Sequence, residues 1–155
     1  MNIARRDVMG FKIRRKATAT WAGSDTAGGG HIALGSGSFE GPYSLKSRVE
    51  GVPQVNPEEL LGAALAACFT MSVSNKLTDA GYEVGNLETR AEVLMAEDGG
   101  RYSITNAHLI ISGSMKDIGT EEFERIAQEA KASCPVSRAL SGTSVTLAVE
   151  ALVGS

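Results

Sequence analysis

The sequence predicts an α+β fold with a mainly antiparallel sheet, and three observations lead there. Two long strand-like stretches, "NLETRAEVLMAED" and "RYSITNAHLIISGSM", flank Gly99-Gly100, a hairpin signal. Three shorter strand-like segments precede the first helix without a helix between them. Strand and helix therefore do not alternate, which argues against a parallel doubly wound sheet. With 155 residues, no internal repeat and no linker, the chain is read as a single domain over 1–155.

Residues 1–10 read as a loose extension. "FKIRRKATATWAG" alternates like a strand, with Ile13, Ala17, Ala19 and Trp21 on one face. "SDTAGGG" is a turn or loop. "HIALGSGSFEG" and "YSLKSRVEG" read as short strands separated by Gly41-Pro42, with Arg48 on the second. A helix then opens at Asn56. Asn56 suits the N-cap, Pro57 the first position, and Glu59 the far side of a capping box. Glu58 and Glu59 both favour the positive end of the helix dipole, and Gly81 supplies the stop. After the hairpin, Thr120 caps "EEFERIAQEAKAS", whose stripe is Phe123, Ile126, Ala127 and Ala130. Pro135 breaks that helix, "PVSRALSG" restarts it, and "TSVTLAVEALV" closes as a strand. The predicted order is β-β-β-α-β-β-α-α-β: a long central helix carrying Cys68 and a second, broken helix carrying Cys134.

Composition sets the limits on function. A formal charge of −3 argues against nucleic acid as the main partner, because phosphate binding requires a basic surface. The cluster Lys12, Arg14, Arg15 and Lys16 is read as a solvated strand edge, with a binding patch as the alternative. The N-terminus has charges and no apolar core of a secretory signal, and the uncharged run from Leu60 to Asn75 is shorter than a membrane span. The expected location is the cytoplasm, where structural disulfides are not the default. Two cysteines, Cys68 and Cys134, and two histidines, His31 and His108, lack the paired spacing of a zinc site.

Free cysteine usually packs as a small hydrophobe, and that reading competes with a catalytic one at both positions. Around Cys68 on the helix, apolar Leu61, Ala64, Leu65 and Met71 give way to Ser72 and Asn75. Gly62, Ala63, Ala66 and Ala67 are small enough to let another helix or subunit approach and form a crevice; tight core packing would use the same residues. Cys134 in "SCPVS" precedes a proline and so falls near a helix N-cap, where a thiolate is favoured. Cys68 lies twelve residues from Asn56, about 18 Å along the axis, and gains nothing from its own helix end. On physical grounds Cys134 is the better thiolate, and a reactive Cys68 requires a cation. Arg48 in "SRVEG" is a candidate, with a surface pair to Glu50 as the alternative.

"NPEELLGAALAACF", "SRVEG", "CPVS" and the early Trp21-x-Gly23 together resemble the OsmC branch of the OsmC/Ohr family of thiol-dependent hydroperoxide reductases, from about Thr18 onward. That resemblance implies a cofactor-free, metal-free peroxidase of organic hydroperoxides, built as an intertwined homodimer with a site at each subunit boundary. It implies Cys68 as the peroxidatic cysteine and Cys134 as the resolving one, reversing the preference from helix ends. It further implies Arg48 as the activating arginine, Glu58 as the carboxylate that holds it, and a dithiol as reductant. Val136 fits this branch, whereas the sister branch usually has "CPYS"; Leu65 stands where relatives often carry histidine. Glu58 and Cys68 are ten residues apart, roughly 15 Å along one helix, so a shared site would draw them from different subunits. A non-catalytic ligand-binding dimer and a redox switch are the competing functions.

Overall fold

The structure, a computed structural model, describes residues 12–154 and divides into two compact units between Val55 and Asn56. The expected extension at residues 1–10 lies outside the described residues. So does Phe11, the first residue of the predicted strand "FKIRRKATATWAG"; residues 12–16, which hold the basic cluster, are exposed and form no strand.

The first unit is a three-stranded antiparallel sheet in the order β1 (Ala17–Ala22), β2 (Gly29–Leu34) and β3 (Glu40–Tyr43), followed by α1 (Leu45–Val49). Its β2–β3 turn is not at Gly41-Pro42 as predicted. Leu34 N–H donates to Phe39 O (2.9 Å) and Gly37 N–H to Leu34 O (2.9 Å), closing the turn with Gly37 at φ +75°. Gly41 and Pro42 lie within β3, an edge strand, where a residue without an N–H is tolerated; Pro42 pairs in register with His31.

Arg48 is on a helix, not on the predicted strand. Ser44 and Ser47 form a reciprocal capping box: Ser47 N–H donates to Ser44 Oγ (3.3 Å) and Ser44 N–H to Ser47 Oγ (3.2 Å). Ser47 is buried, its hydroxyl also 3.0 Å from Val55 O, which ties the short turn to the chain leading into the next unit. The Trp21-x-Gly23 motif has a physical basis too. Trp21 Nε1 donates to Gly23 O (3.0 Å), Gly23 sits at φ +91°, and the indole packs on Tyr43 at 5.4 Å between ring centroids.

The second unit carries the main core. Its long helix α2 (Pro57–Asp79) begins and ends where the sequence predicts. Asn56 accepts from Glu59 N–H (2.8 Å), and a Schellman pair closes the helix: Tyr82 N–H to Leu77 O (3.0 Å) and Gly81 N–H to Thr78 O (3.0 Å), with Gly81 at φ +89°. Leu65, Phe69, Val73 and Leu77, one turn apart, are fully buried. They pack against a sheet in the order β4 (Val84–Asp98), β5 (Arg101–Met115) and β6 (Ser144–Val153). Ala107, Leu109, Ile111 and Met115 line its inner face at alternate positions. Each such large side chain contributes about 2 kcal/mol of burial.

Gly99 and Gly100 join β4 to β5 at φ +60° and +83°, as a two-residue primed turn demands. Helix α3 (Thr120–Ser133) presents Phe123, Ile126, Ala127 and Ala130 to the same core. Its N-cap is Gly119 rather than Thr120, with no side-chain cap; Glu121 and Glu122 complement the dipole instead. After α4 (Pro135–Ala139), β6 returns parallel to β5, a pairing that requires the long crossover through both helices.

By length and composition α2 could cross a membrane, its mean hydropathy reaching 1.3 over 18 residues. Here it is the core helix of its unit, with Thr70 and Ser72 bonded to the carbonyls of Ala66 (2.7 Å) and Cys68 (2.9 Å). The small-residue reading is refined as well. Gly62 is buried against β4, not another helix: a Cβ there would lie 3.4 Å from Val93 Cγ2 and 3.5 Å from Ala91 O. Ala63, Ala64 and Ala67 face outward beside Met71, which is 74% exposed.

Candidate active site

Cys68 lies midway along α2, between buried Leu65 and Phe69 on one side and exposed Ala67 and Met71 on the other, and is half-buried. Cys134 ends α3 and caps α4. Pro135 forbids it helical geometry, so its backbone turns extended at φ −61°, ψ 122° while its N–H still donates to Ala130 O (2.8 Å). The side chain is fully buried. These two positions, 66 residues apart in sequence, bring their sulfurs to 3.1 Å, with both thiols free. At that distance the S–H proton of one thiol lies against the other sulfur.

The environment distributes that proton unequally. Burial pushes the Cys68 thiol up, the neighbouring Cys134 side chain pushes further the same way, and the Val136 N–H offsets only part of it. Burial also acts to raise Cys134, but the Ser137 N–H, the Cys68 side chain, the Ser137 hydroxyl and the Val136 N–H together outweigh it, and its pKa falls below the ordinary cysteine value. The Ser137 and Val136 N–H groups of the first turn of α4, the helix start at which the sequence places Cys134, are among the causes that favour its thiolate. Exposure ranks them the other way. Cys68 opens on a groove of about 380 Å3 formed with Met71, Ser72, Asn75 and Lys76 of α2 and Ser133 of α3, whereas Cys134 has no surface of its own. An external oxidant meets Cys68 first.

The groove carries Met71 beside the thiol and the polar side chains Ser72 and Asn75 from the next turn of α2. Glu58 lies in the first turn of the same unbroken helix, too far along its axis to meet Cys68 within the chain. Arg48 is exposed in the last turn of α1, in the other unit. The structure thus brings two of the four predicted site residues together, while Glu58 stands at the far end of the same helix and Arg48 belongs to the other unit. Ser137 was not singled out in the sequence, although its place three residues after a cap position was visible there. Among the described residues no three His, Cys, Asp or Glu side chains gather as metal ligands. His108 is engaged on the sheet with its cross-strand neighbour Thr146 (Nδ1 to Oγ1, 2.6 Å).

A family model described as OsmC-like protein matches residues 50–150, which span both cysteines and most of the second unit. The chain belongs to the OsmC-like protein family. It is 38% identical to peroxiredoxin OsmC of Escherichia coli over 129 residues, covering 83% of this chain and 90% of that one. To the organic hydroperoxide resistance protein OhrB of Bacillus subtilis it is 26% identical over 115 residues, 73% of this chain and 82% of that one. The crystal structure of OhrB superimposes with a TM-score of 0.69 at 25% identity, covering 87% of this chain and 98% of that one. An OsmC-like protein of unknown function from Vibrio cholerae shares the fold with a TM-score of 0.73 at 19% identity, over 90% of this chain and all of that one.

Proposed function

We propose that this member of the OsmC-like family is a cysteine-based peroxidase that reduces organic hydroperoxides, and hydrogen peroxide more weakly, in defence against oxidative or osmotic stress. One observation carries the reading: a half-exposed sulfur on a groove stands 3.1 Å from a buried one. The names of its relatives, peroxiredoxin and organic hydroperoxide resistance protein, support it.

The Cys68 thiolate attacks the distal oxygen of the hydroperoxide. The O–O bond breaks, the alkoxide leaves as alcohol after taking a proton, and Cys68 becomes a sulfenic acid. Cys134 displaces hydroxide from that sulfur and closes an internal disulfide, which a dithiol reductant reopens by exchange. Cys68 is raised by its own surroundings, so the first step needs a cation. Arg48 fills that role, stabilising the thiolate and the charge developing on oxygen, with Glu58 orienting the guanidinium. Glu58 and Cys68 are separated along one helix, so the Glu58 serving a given Cys68 belongs to a second copy of the chain, in an intertwined homodimer. The outward stripe of Ala63, Ala67 and Met71 on α2 suits such packing. We place the enzyme in the cytoplasm, where dithiol reductants are maintained.

Turnover decides the matter. Reduced protein supplied with cumene hydroperoxide and excess dithiol consumes many equivalents, Cys68→Ser abolishes this, and Cys134→Ser accumulates a trappable sulfenic acid. A single slow oxidation of the wild type identifies a redox switch instead, and no consumption a binding module. Sedimentation gives the second test: a fully active monomer eliminates the shared site.

A further inference from the structure

Ser137 is one of two buried polar side chains among the described residues, 8% exposed, and its hydroxyl has no hydrogen-bond partner of ordinary geometry. An unpartnered buried hydroxyl is costly and calls for a reason. The other buried polar residue, Ser47, supplies the comparison. Both serines stand three residues after a helix N-cap, Ser47 after Ser44 and Ser137 after Cys134. At α1 the third-position hydroxyl reaches back and accepts the cap residue's N–H, completing a box. At α4 that return bond is unavailable, because the Cys134 N–H is already given to Ala130 O (2.8 Å) as the last bond of α3. The Ser137 hydroxyl is left without that return bond, and the side chain of its cap residue is a sulfur. Its influence on that sulfur is favourable to the thiolate, alongside the N–H groups of Ser137 and Val136.

We propose that Ser137 is a positioning residue of the resolving step: its hydroxyl donates to the Cys134 sulfur and holds it as the thiolate that attacks oxidised Cys68. The proposal rests on the peroxidase reading for its place in the cycle. In that step the Cys134 thiolate forms the S–S bond as the Cys68 S–O bond breaks, and the departing hydroxide takes a proton to become water. In reduction the same hydroxyl receives Cys134 as the thiolate released when the reductant attacks Cys68. The serine acts twice per turnover and touches neither peroxide nor reductant.

The test separates the hydrogen bond from the reaction. The chain has two cysteines, so Cys68→Ser leaves Cys134 as the sole thiol, and its ionisation can be followed by thiolate absorbance against pH. Adding Ser137→Ala moves the midpoint up, and Ser137→Thr, which keeps the hydroxyl, restores most of the shift; an unmoved midpoint overturns the hydrogen bond. With both cysteines present, stopped-flow kinetics after one equivalent of cumene hydroperoxide resolve Cys68 oxidation from disulfide closure. Ser137→Ala lowers the ratio of closure rate to oxidation rate by roughly tenfold, the scale of one lost hydrogen bond to a charged atom. Equal slowing of both steps overturns the assignment and marks Ser137 as packing only. A wild type that consumes no peroxide defeats the peroxidase reading, while the midpoint still reports on the hydrogen bond.

Discussion

The two units of this chain are made of similar parts and differ in what covers them. Each has a three-stranded sheet. In the second, α2 and α3 close over the inner face, and thirteen side chains from Leu65 to Cys134 form one buried cluster. In the first, all six residues of β1 are exposed, Trp21 and Phe39 are each 40% exposed, and among the described residues Ile32 is the one large apolar side chain that is buried. A sheet so small and so bare does not stabilise itself. The second unit supplies its own core; the first buries little within its own sheet. Both sulfurs lie in the self-sufficient unit, and Arg48, the cation proposed above, lies in the other.

Several variants would break or sharpen this contrast. The largest effect belongs to the second unit: Cys68→Ser removes all peroxide turnover while circular dichroism stays native, and residual turnover would move the chemistry elsewhere. Next comes the first unit's contribution. Arg48→Ala slows Cys68 oxidation by about 10²–10³-fold, the scale of one lost charge-stabilising donor, with unchanged secondary structure. The sign of the accompanying pH effect is fixed. A cation favours thiolate and its removal lets burial act alone, so Cys68 ionises at higher pH and the rate profile moves upward. An unshifted profile in stopped-flow oxidation would remove Arg48 from the mechanism.

Stability should divide as sharply as chemistry. Phe69→Ala empties the centre of the second unit's core and costs about 3–5 kcal/mol in denaturant unfolding. Native-state amide exchange should place β1–β3 well below β5 in protection, since exposed strands open locally; equal protection would show that the first unit is as well covered as the second. The smallest change is Gly81→Ala, which forces a side chain into left-handed geometry at the end of α2 and costs about 1 kcal/mol.

Legibility in the sequence followed the same contrast. In the second unit, local signals agreed with packing: Asn56 and Gly81 bounded α2, Gly99-Gly100 made the hairpin, and the stripe of α3 found the core. In the first unit they did not. "YSLKSRVEG" has the alternation of a strand, yet the Ser44–Ser47 box turns it into a helix, a preference of two hydroxyls that side-chain periodicity does not register. Strand direction was invisible too, since nothing in "TSVTLAVEALV" says that β6 runs parallel to β5. At the candidate site, the motifs pointed to the two cysteines that the structure brings together, and Pro135 to the cap position of Cys134. The role of Ser137 was hidden because it depends on where α3 spends its last backbone bond.

The closeness of the sulfurs has a mechanical outcome. Joining residues 68 and 134 ties off a loop spanning 66 positions, and such a cross-link holds back about 4 kcal/mol of unfolded-chain freedom. The spent form of the molecule is therefore its toughest form. Oxidant knots the fold and reductant loosens it, so a protein waiting for electrons outlasts one that is ready to work.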